Sequence, residues 1–482
     1  MKKVTYYIIA ILFFIQTVSC KKDFLNNVNN RGTLLRQEYV TDIKTTEEFL
    51  NGIYVRLSTY LFTGYQVIYP DLIADNIKPV IASSGSTPLL FHYKWAQLAD
   101  ESAILSNLTT TSSNSNGTSY TSYELILSCN FALEKANEYN DQDPEKAKLI
   151  KGQAYAIRSL VYFSLVNIFA QPYQFTADAS HPGIALVLSA DWTKPVERRN
   201  TVSEVYNQLI ADLNEAVLLL PSNAGTTLTM NRNAAMALLA RVYLFKGDYG
   251  SAKGLATEVS RQVPIMTANY PAKLFTPEET EALFQLPPGT STNNNYATTF
   301  ANFYFRSRIQ FRATSDIAAL LTSNPADLRK SWVTAAATNW NITKFPSGAT
   351  TDPTPDKANA YYQTVLRSSE MYLTAAECYA QLNNNDSARF YLNAIQSRAK
   401  SYVTGTAVSG SALLDTIYKE RRKELAFEGL RMFDLLRWKK GVNRVDETDP
   451  TVKSIPFPSP KAIAPIPKRD VLISGLAQND DY

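Results

Sequence analysis

Residues 420–441 read ERRKELAFEGLRMFDLLRWKKG, with eleven charged side chains set among large apolar ones. At 100° per residue, a single helix over 420–438 places Glu424, Glu428 and Trp438 on the same side. Leucines and a phenylalanine cover the other sides, and a helix that is apolar nearly all round is buried. Because a buried carboxylate must be paired or neutralised, we expect ion pairs at three-residue spacing or with other segments. The expected close pairs are Arg421 with Glu424, Glu428 with Arg431, and Asp434 with Arg437.

Two carboxylates several ångströms apart are also what hydrolysis of a glycosidic bond requires, with the pKa of one of them raised. The interleaved arginines act in the opposite direction, since a neighbouring positive charge lowers the pKa of a carboxyl. The sequence therefore favours a structural ion-pair network, and no catalytic residue is predicted. It also lacks the glycine-rich nucleotide-binding loops and the hydrolase nucleophile motif. We therefore predict neither enzyme activity nor a cofactor.

Apolar residues recur at three- and four-residue spacing in eight blocks, which predicts helices. The blocks are residues 123–139, 147–169, 202–220, 233–245, 249–263, 368–382, 387–399 and 413–438. Between them, segments such as 109–118, 287–299 and 335–356 are rich in Ser, Thr, Asn, Gly and Pro, which predicts loops. The sequence therefore predicts a mainly all-α fold with large irregular loop insertions.

Two of the helical pairs share a spacing of small residues around a tyrosine. Ala240, Tyr243 and Ala252 recur as Ala376, Tyr379 and Ala388, with offsets of three and nine residues in both. This pattern is similar to the tetratricopeptide helix-turn-helix, in which small residues let two helices approach closely. The turns KGD at 246–248 and NNND at 383–386 support it, because Gly and Asn suit a left-handed cap and Asp can cap the next helix.

The first twenty residues, MKKVTYYIIAILFFIQTVSC, carry two lysines, an apolar run over 8–15 and small residues before Cys20. This run falls well short of the roughly 20 apolar residues that span a bilayer, so a signal peptide is predicted over 1–19. The ending TVSC resembles a bacterial lipobox, with Thr17 in place of the usual Leu, and predicts lipidation of Cys20. Residues 20–32 are expected to include a flexible tether. The alternative is an ordinary signal peptide cut nearby, with Cys20 incidental.

Composition excludes several other classes of function. The formal net charge of +4 falls to +2 without Lys2 and Lys3, too little to indicate a nucleic-acid partner. With two histidines and no close Cys/His spacing, no transition-metal ligand is predicted, while calcium stays an alternative because loop oxygens are abundant, although no EF-hand spacing is present. Only Cys129 and Cys378 follow Cys20, both in helical patterns, so buried free thiols are favoured over a disulfide.

Five ordered blocks carry a resemblance to a known family. The stretch at 420–441 resembles the C-terminal signature of the SusD/RagB family of nutrient-binding lipoproteins of Bacteroidetes. LRSSEMYLTAAECYAQLNN at 366–384 is similar to its Arg-x-x-Glu-x-x-Leu-x-x-Ala-Glu helix. KGQAYAIRSLVYFSLVNIFAQP at 151–172 is similar to its Gly-Glu-Ala-x-x-x-Arg block, with Gln153 for Glu. IPFPSPKAIAPIPKRDVLISGLAQNDDY at 455–482 is similar to its Pro-Ile-Pro and Gln-Asn-x-x-Tyr ending, with Asp480-Asp481 for Pro-Gly.

The resemblance implies a tetratricopeptide-like, SusD-like scaffold with an N-terminal helical region at 33–280 and a SusD/RagB C-terminal region at 281–482. It also implies a lipid anchor at the cell-surface side of the outer membrane, a glycan or peptide ligand, and a SusC-type TonB-dependent barrel as partner. No reaction is implied. The alternatives are a tetratricopeptide-like adaptor for another protein, a RagB-like peptide-binding protein and a surface glycosidase.

A sugar ring has apolar C–H faces and polar edges, so a site for it combines aromatic plates with amide, carboxylate or guanidinium groups. Loop aromatics beside such groups are therefore the candidate ligand-binding residues, with Trp95 and Trp340 most favoured. The others are Tyr69, Asp71, Asn76, Tyr93, Asn294, Tyr296, Trp332 and Asn339. Trp438 is excluded because its helix belongs to the buried scaffold.

Overall fold

The helices dominate the part of the chain that this computed structural model describes. The described residues are 36–58, 65–81, 87, 89–99, 122–191, 193–194, 196, 198–222, 225–287, 304, 309–346, 361–401 and 408–482. The helices are α1 (Arg36–Tyr39), α2 (Ile43–Arg56), α3 (Tyr65–Leu72), α4 (Leu90–Tyr93), α5 (Ser122–Glu138), α6 (Pro144–Phe169), α7 (Val202–Leu219), α8 (Arg232–Lys246), α9 (Tyr249–Gln262), α10 (Ser315–Thr322), α11 (Ser368–Gln381), α12 (Asn385–Ala399), α13 (Gly410–Glu424), α14 (Arg431–Arg437), α15 (Pro450–Lys453) and α16 (Lys468–Ser474). The predicted helical class is confirmed.

Seven of the eight predicted helical blocks are confirmed, with ends within three residues of those expected. Their starts follow from capping chemistry. Helix α7 begins after Thr201, whose side chain accepts from the backbone N–H of Glu204 while the Glu204 carboxylate accepts from that of Thr201. Helix α6 begins at Pro144 after Asp143, which accepts from the N–H of Lys146.

Helices that follow one another in the chain pack side by side from α5 to α9, and α9 then packs on α11. The two tetratricopeptide-like pairs are α8 with α9 and α11 with α12, and their shared alanines are fully buried. In the first pair the turn has Gly247 in the left-handed region, and Asp248 caps the next helix. In the second pair Asn383 is left-handed, but Asn384 and not Asp386 supplies the cap. None of the described helices is long and apolar enough to cross a membrane.

The expected single helix over 420–438 is wrong, because the chain turns between α13 and α14. Phe427 and Gly429 have φ values of 68° and 79° there, a region that suits glycine. A Cβ on Gly429 would lie 2.5 Å from the carbonyl oxygen of Val67 in α3, so only glycine fits against that helix. The Gly429 N–H also donates to Oδ2 of Asp71 at 2.6 Å. The turn is therefore fixed by α3, a segment far away in the sequence.

Helices α2 and α3 precede the eight predicted helical blocks. Helix α2 begins after Asp42, which forms a reciprocal capping pair with Thr45, and it buries Leu50 and Ile53. Helix α3 is buried along nearly its whole length, including Tyr69 and Asp71. Cys129 and Cys378 are buried and free, as expected.

The strands are short and form three antiparallel sheets. They are β1 (Ile77–Pro79), β2 (Ala282–Leu286), β3 (Phe311–Ala313), β4 (Val333–Ala336), β5 (Asn339–Ile342), β6 (Gln363–Arg367), β7 (Val442–Asn443) and β8 (Ser454–Ile455). The largest sheet has the order β1-β3-β5-β4, while β2 pairs with β6 and β7 with β8. Part of the segment 335–356, predicted as loop, therefore forms the β4–β5 hairpin at the edge of the largest sheet.

Candidate functional site

The acids of the opening stretch belong to a buried ion-pair cluster that joins distant segments. Both carboxylate oxygens of Glu424 are used: Oε1 lies 2.8 Å from Arg367 and 2.6 Å from Arg398, and Oε2 lies 3.1 Å from Arg329. The full cluster comprises Arg329, Lys344, Arg367, Arg398 and Lys423 with Glu281, Asp327, Glu420, Glu424 and Glu428. Ten ionised side chains thus fix β6, α12, α13 and the turn after α13 together.

Electrostatics in this cluster oppose a glycosidase role. Burial alone would raise the pKa of Glu424, but the charges of Arg398 and Arg367 outweigh it and hold that pKa well below its usual range. The pKa of Glu428 is likewise lowered, against burial, by Arg367 and Lys344. A general acid needs a raised pKa and access to its substrate. Neither carboxyl has the pKa of such an acid.

Of the three pairs expected at three-residue spacing, only Asp434 with Arg437 is confirmed, at 2.8 Å. Arg421 pairs with Asp434 at 2.9 Å and with Glu370 of α11. Arg431 pairs with Asp75, which follows α3, at 2.7 Å. Glu428 and Arg431 are not on one helix, because the chain turns between α13 and α14. Arg421 and Glu424 both lie in α13, but each pairs with a more distant segment instead.

Three predicted ligand-binding residues lie in the core around α3. Tyr69 is fully buried, and Asn76 donates to Oδ1 of Asp71 at 2.6 Å. Burial raises the pKa of Asp71 to about 7, against the hydrogen bonds from Asn76 and Gly429. These side chains link α3 to the turn before α14. Tyr69 and Asp71 lie in a helix and not in the predicted loop, and all three residues are buried.

Tyr93 and Trp95 are also buried, because Arg444 covers their rings. Its guanidinium carbon lies 4.1 Å from the Tyr93 ring centre and 3.9 Å from that of Trp95. The Trp95 indole N–H donates to the carbonyl oxygen of Ile73 at 3.1 Å. Trp332 is covered in the same way by Lys344, at 4.1 Å. These three aromatics are therefore buried, and a sugar could reach the ring faces that the cations cover only by displacing them.

Trp340 and Asn339 lie in β5, beside the hairpin turn, and both are partly exposed. Trp340 pairs with Ala313 of β3 and Ala335 of β4 and packs in part against the core. Asn294, Tyr296 and Cys20 lie outside the described residues. Trp340 and Asn339 are neighbours in β5 whose side chains project from opposite faces of the sheet, whereas the other described candidates are parts of the scaffold.

The largest sheet carries a row of polar side chains on the face opposite that of Trp340. Arg312 of β3 pairs with Lys78 of β1, and Asn341 of β5 pairs with Thr334 of β4. Because Ala313 pairs with Trp340, one step along this antiparallel ladder sets Arg312 opposite Asn341. The row Lys78, Arg312, Asn341 and Thr334 therefore crosses all four strands, and we call it the polar sheet face.

Two polar atoms of this face are buried without a hydrogen-bond partner: Nε of Arg312 and Oδ1 of Asn341. Both side chains are otherwise partly exposed. Beside them, the hydroxyl of Tyr65 donates to Oε1 of Gln310 at 3.3 Å, and Gln310 continues the ladder before β3. Aromatic, amide and guanidinium groups thus meet on one surface, which is the combination expected for a sugar. Sequence reasoning missed these residues, although QFRA at 310–313 and NWNI at 339–342 alternate in strand fashion.

Two family models match consecutive parts of the chain. One, described as "Starch-binding associating with outer membrane", matches residues 30–244, and one described as "SusD family" matches residues 294–456. The chain belongs to the SusD/RagB family. Within this family, a SusD-like protein of Formosa agariphila is 26% identical over 253 residues, 52% of this chain and 45% of its own length. A second one from that bacterium is 36% identical over 90 residues. The chain thus matches less than half of the length of these curated relatives.

Solved SusD-like structures share the fold over nearly the whole chain. A SusD superfamily protein from Bacteroides thetaiotaomicron has a TM-score of 0.78 at 24% identity, covering 91% of this chain and 100% of that one. A SusD-like carbohydrate binding protein from Bacteroides vulgatus has a TM-score of 0.73 at 20% identity, covering 90% and 97%. A laminarin binding SusD-like protein has a TM-score of 0.64 at 20% identity, covering 92% and 100%. At these identities the likeness establishes the fold alone.

Proposed function

We propose that this protein is a cell-surface lipoprotein that binds glycan and delivers it to a SusC-type TonB-dependent transporter. The observation that carries this proposal is the ordered match of two SusD family models, one of them described as starch-binding and outer-membrane-associated. The SusD-like carbohydrate binding and laminarin binding proteins that share the fold support a glycan as the class of ligand. The protein binds its ligand and does not cleave it.

The proposed ligand contacts lie around β5, on the two opposite faces of the largest sheet. On one face Trp340 offers an aromatic ring for the apolar side of a sugar, while Asn339, its neighbour in β5, projects from the other face. On the other face Arg312 and Asn341 offer buried polar atoms that lack partners. The Trp340 ring suits the apolar face of a sugar ring, and the polar atoms of Arg312 and Asn341 suit its hydroxyl groups. Asn294 and Tyr296 remain proposed contacts on the strength of the sequence.

Export and lipidation at Cys20 would hold the protein at the outer membrane, where the barrel partner resides. Several acyl chains hold a protein durably on a bilayer, since each buried methylene contributes about 0.8 kcal/mol. We expect Cys20→Ala to release the protein from the membrane fraction. We also expect the transporter to co-purify with the lipidated form. Recovery of the unaltered protein in the cytosolic fraction would contradict this part of the proposal.

Binding is tested by isothermal calorimetry of the mature chain against a panel of neutral and acidic oligosaccharides. Trp340→Ala should weaken glycan binding by about tenfold or more, since stacking on an aromatic plate is lost. The control is Phe390→Ala, which removes a 67% exposed aromatic from α12, far from the sheet in the sequence, and should leave affinity unchanged. An assay for new reducing ends accompanies the titration. Cleavage of the glycan, or binding of peptides in place of glycans, would overturn the proposal.

A further inference from the structure

We infer that the glycan is acidic, and that Arg312 on the polar sheet face binds its carboxylate or sulfate group. The inference rests on the proposed function and specifies the chemical class of its ligand. It comes from a comparison of Arg312, which is partly exposed but has a buried Nε, with the buried cations of the molecule.

The three largest ion-pair clusters among the described residues are electrically neutral. The Glu424 cluster has five cations and five acids. A second cluster has three of each and a third has two of each. The second comprises Arg241, Arg421 and Arg437 with Glu370, Glu377 and Asp434, and the third comprises Arg422 and Arg431 with Asp75 and Asp316. The scaffold therefore neutralises its own buried charge, as the high cost of an unpaired buried ion requires.

Two buried arginines lack an acidic partner but use backbone carbonyls. Arg444 donates to the carbonyl oxygens of Leu72, Ile73 and Ala74, and Arg199 donates to that of Gly183. Their guanidinium groups are part of the fold. Buried arginines of the described chain are thus held either by acids or by several backbone carbonyls.

Arg312 has neither kind of partner. Its Nε is buried without a hydrogen bond, and no carboxylate of the described residues lies within ion-pair distance of it. Its neighbour across the ladder is Lys78, and like charges directly opposite one another destabilise a sheet. Asp446 neutralises Lys78 at 2.8 Å and also accepts from the backbone N–H of Ser315. Among the acids that the structure describes, none thus neutralises the second positive charge on this face.

The other neighbour of Arg312 indicates that the ligand carries a hydrogen-bond donor beside its anionic group. Asn341 lies opposite it, and its buried Oδ1 is an acceptor without a donor. A water molecule could satisfy a hydrogen bond here but could not neutralise the guanidinium. An acidic sugar supplies both groups, because the pyranose that carries a carboxylate or sulfate also carries hydroxyls on adjacent carbons. The charged oxygen would accept from Arg312 and a hydroxyl would donate to Asn341.

The test uses the mature full-length chain and matched pairs of ligands that differ only in charge. One pair is an oligogalacturonide and its methyl ester, and the other is a sulfated galactan oligosaccharide and its desulfated form. We expect the acidic member of at least one pair to bind about tenfold more tightly than its neutral form. This preference should decline as salt is added. The pair that shows it distinguishes a carboxylate from a sulfate ligand.

Two variants connect this preference to Arg312. Arg312→Gln should remove the preference, so that the acidic and neutral members of the pair bind with affinities within about twofold of each other. Asn341→Asp places a carboxylate opposite Arg312 and should also remove it, without loss of the guanidinium. The control is Arg261→Gln in α9, at an exposed arginine that pairs with Glu258, which should keep the preference. Thermal unfolding confirms that each variant is folded.

The outcomes separate this inference from the proposed function. Equal affinity for both members of every pair, or a preference that survives in Arg312→Gln and Asn341→Asp, would overturn the inference and leave glycan binding intact. Failure of every neutral and acidic oligosaccharide to bind would overturn the proposed function and the inference with it.

Discussion

Replacement of Glu424 by Gln tests whether the buried acids support the fold or perform chemistry. Gln keeps the size of the side chain and one acceptor oxygen but removes one of the five negative charges in the Glu424 cluster. Arg329 would retain Asp327 and Glu420, and Arg367 would retain two other glutamates. Arg398 would retain only Glu281. A fully buried cluster would then carry one uncompensated positive charge.

Loss of one partner from a buried ion pair typically costs about 3–5 kcal/mol. The retained acids around Arg329 and Arg367 place the expected loss at the lower end, about 3 kcal/mol of unfolding free energy at neutral pH. The cost should depend on pH. Because the folded-state pKa of Glu424 lies well below its unfolded value, its contribution is complete above the unfolded pKa of about 4.3. The difference between the two proteins should therefore shrink as the pH falls below that value.

Urea unfolding followed by circular dichroism measures the difference at pH 7 and pH 3.5. Glu258→Gln in α9 is the matched control, since this acid pairs with Arg261 at an exposed position and should change nothing measurable. Both variants are also assayed for release of reducing ends from the bound glycan. An unfolding curve of Glu424→Gln that superimposes on that of the unaltered protein, together with loss of a hydrolytic activity, would refute the structural role.

Two further changes test other buried positions. Gly429→Ala should destabilise the protein by more than about 2 kcal/mol in urea unfolding, because the left-handed φ disfavours Ala and its Cβ would strike the Val67 carbonyl. Gly254→Ala, with open space inside α9, should stabilise it by about 0.5–1 kcal/mol, and a loss there as large as at Gly429 would contradict this reasoning. Burial, followed by the charge of Glu281, raises the pKa of Glu279 to about 7, so the unaltered protein loses stability as the pH rises from about 4.3 to 7. Glu279→Gln should therefore gain stability relative to the unaltered protein over that range, by about 3 kcal/mol of unfolding free energy at pH 7.5. A gain that does not change with pH would show that ionisation of Glu279 is not its cause.

Local pattern and capping chemistry were sufficient to predict most of the helices. The block at 202–220 has its capping residue and its apolar spacing within a short segment, so its ends could be read directly. The break after Glu424 could not be predicted, because the apolar spacing continues through it. Its cause is the contact of Gly429 with Val67, and no local signal in the sequence connects these two segments.

The same distinction applies to the binding surface. The residues near Trp95 in the sequence are of the types found in sugar sites. In the fold, however, Arg444 from a distant segment covers the Trp95 ring. Arg312 and Asn341 look ordinary in the sequence and become notable only when β3 and β5 pair. Residue chemistry identified which groups a sugar site needs, whereas long-range strand pairing and packing decided which of them are available.

Because of the neutral clusters, buried charged positions are more constrained in evolution than positions on the polar sheet face. A substitution of Glu424 leaves a buried cation of another segment without one of its acidic partners. A second substitution at a distant position would then be needed to restore the stability of the fold. No acid in the described part of the chain pairs with Arg312, so a single substitution there alters only the surface chemistry. The chemistry of the polar sheet face can therefore diverge between related proteins by single substitutions while the interior stays the same.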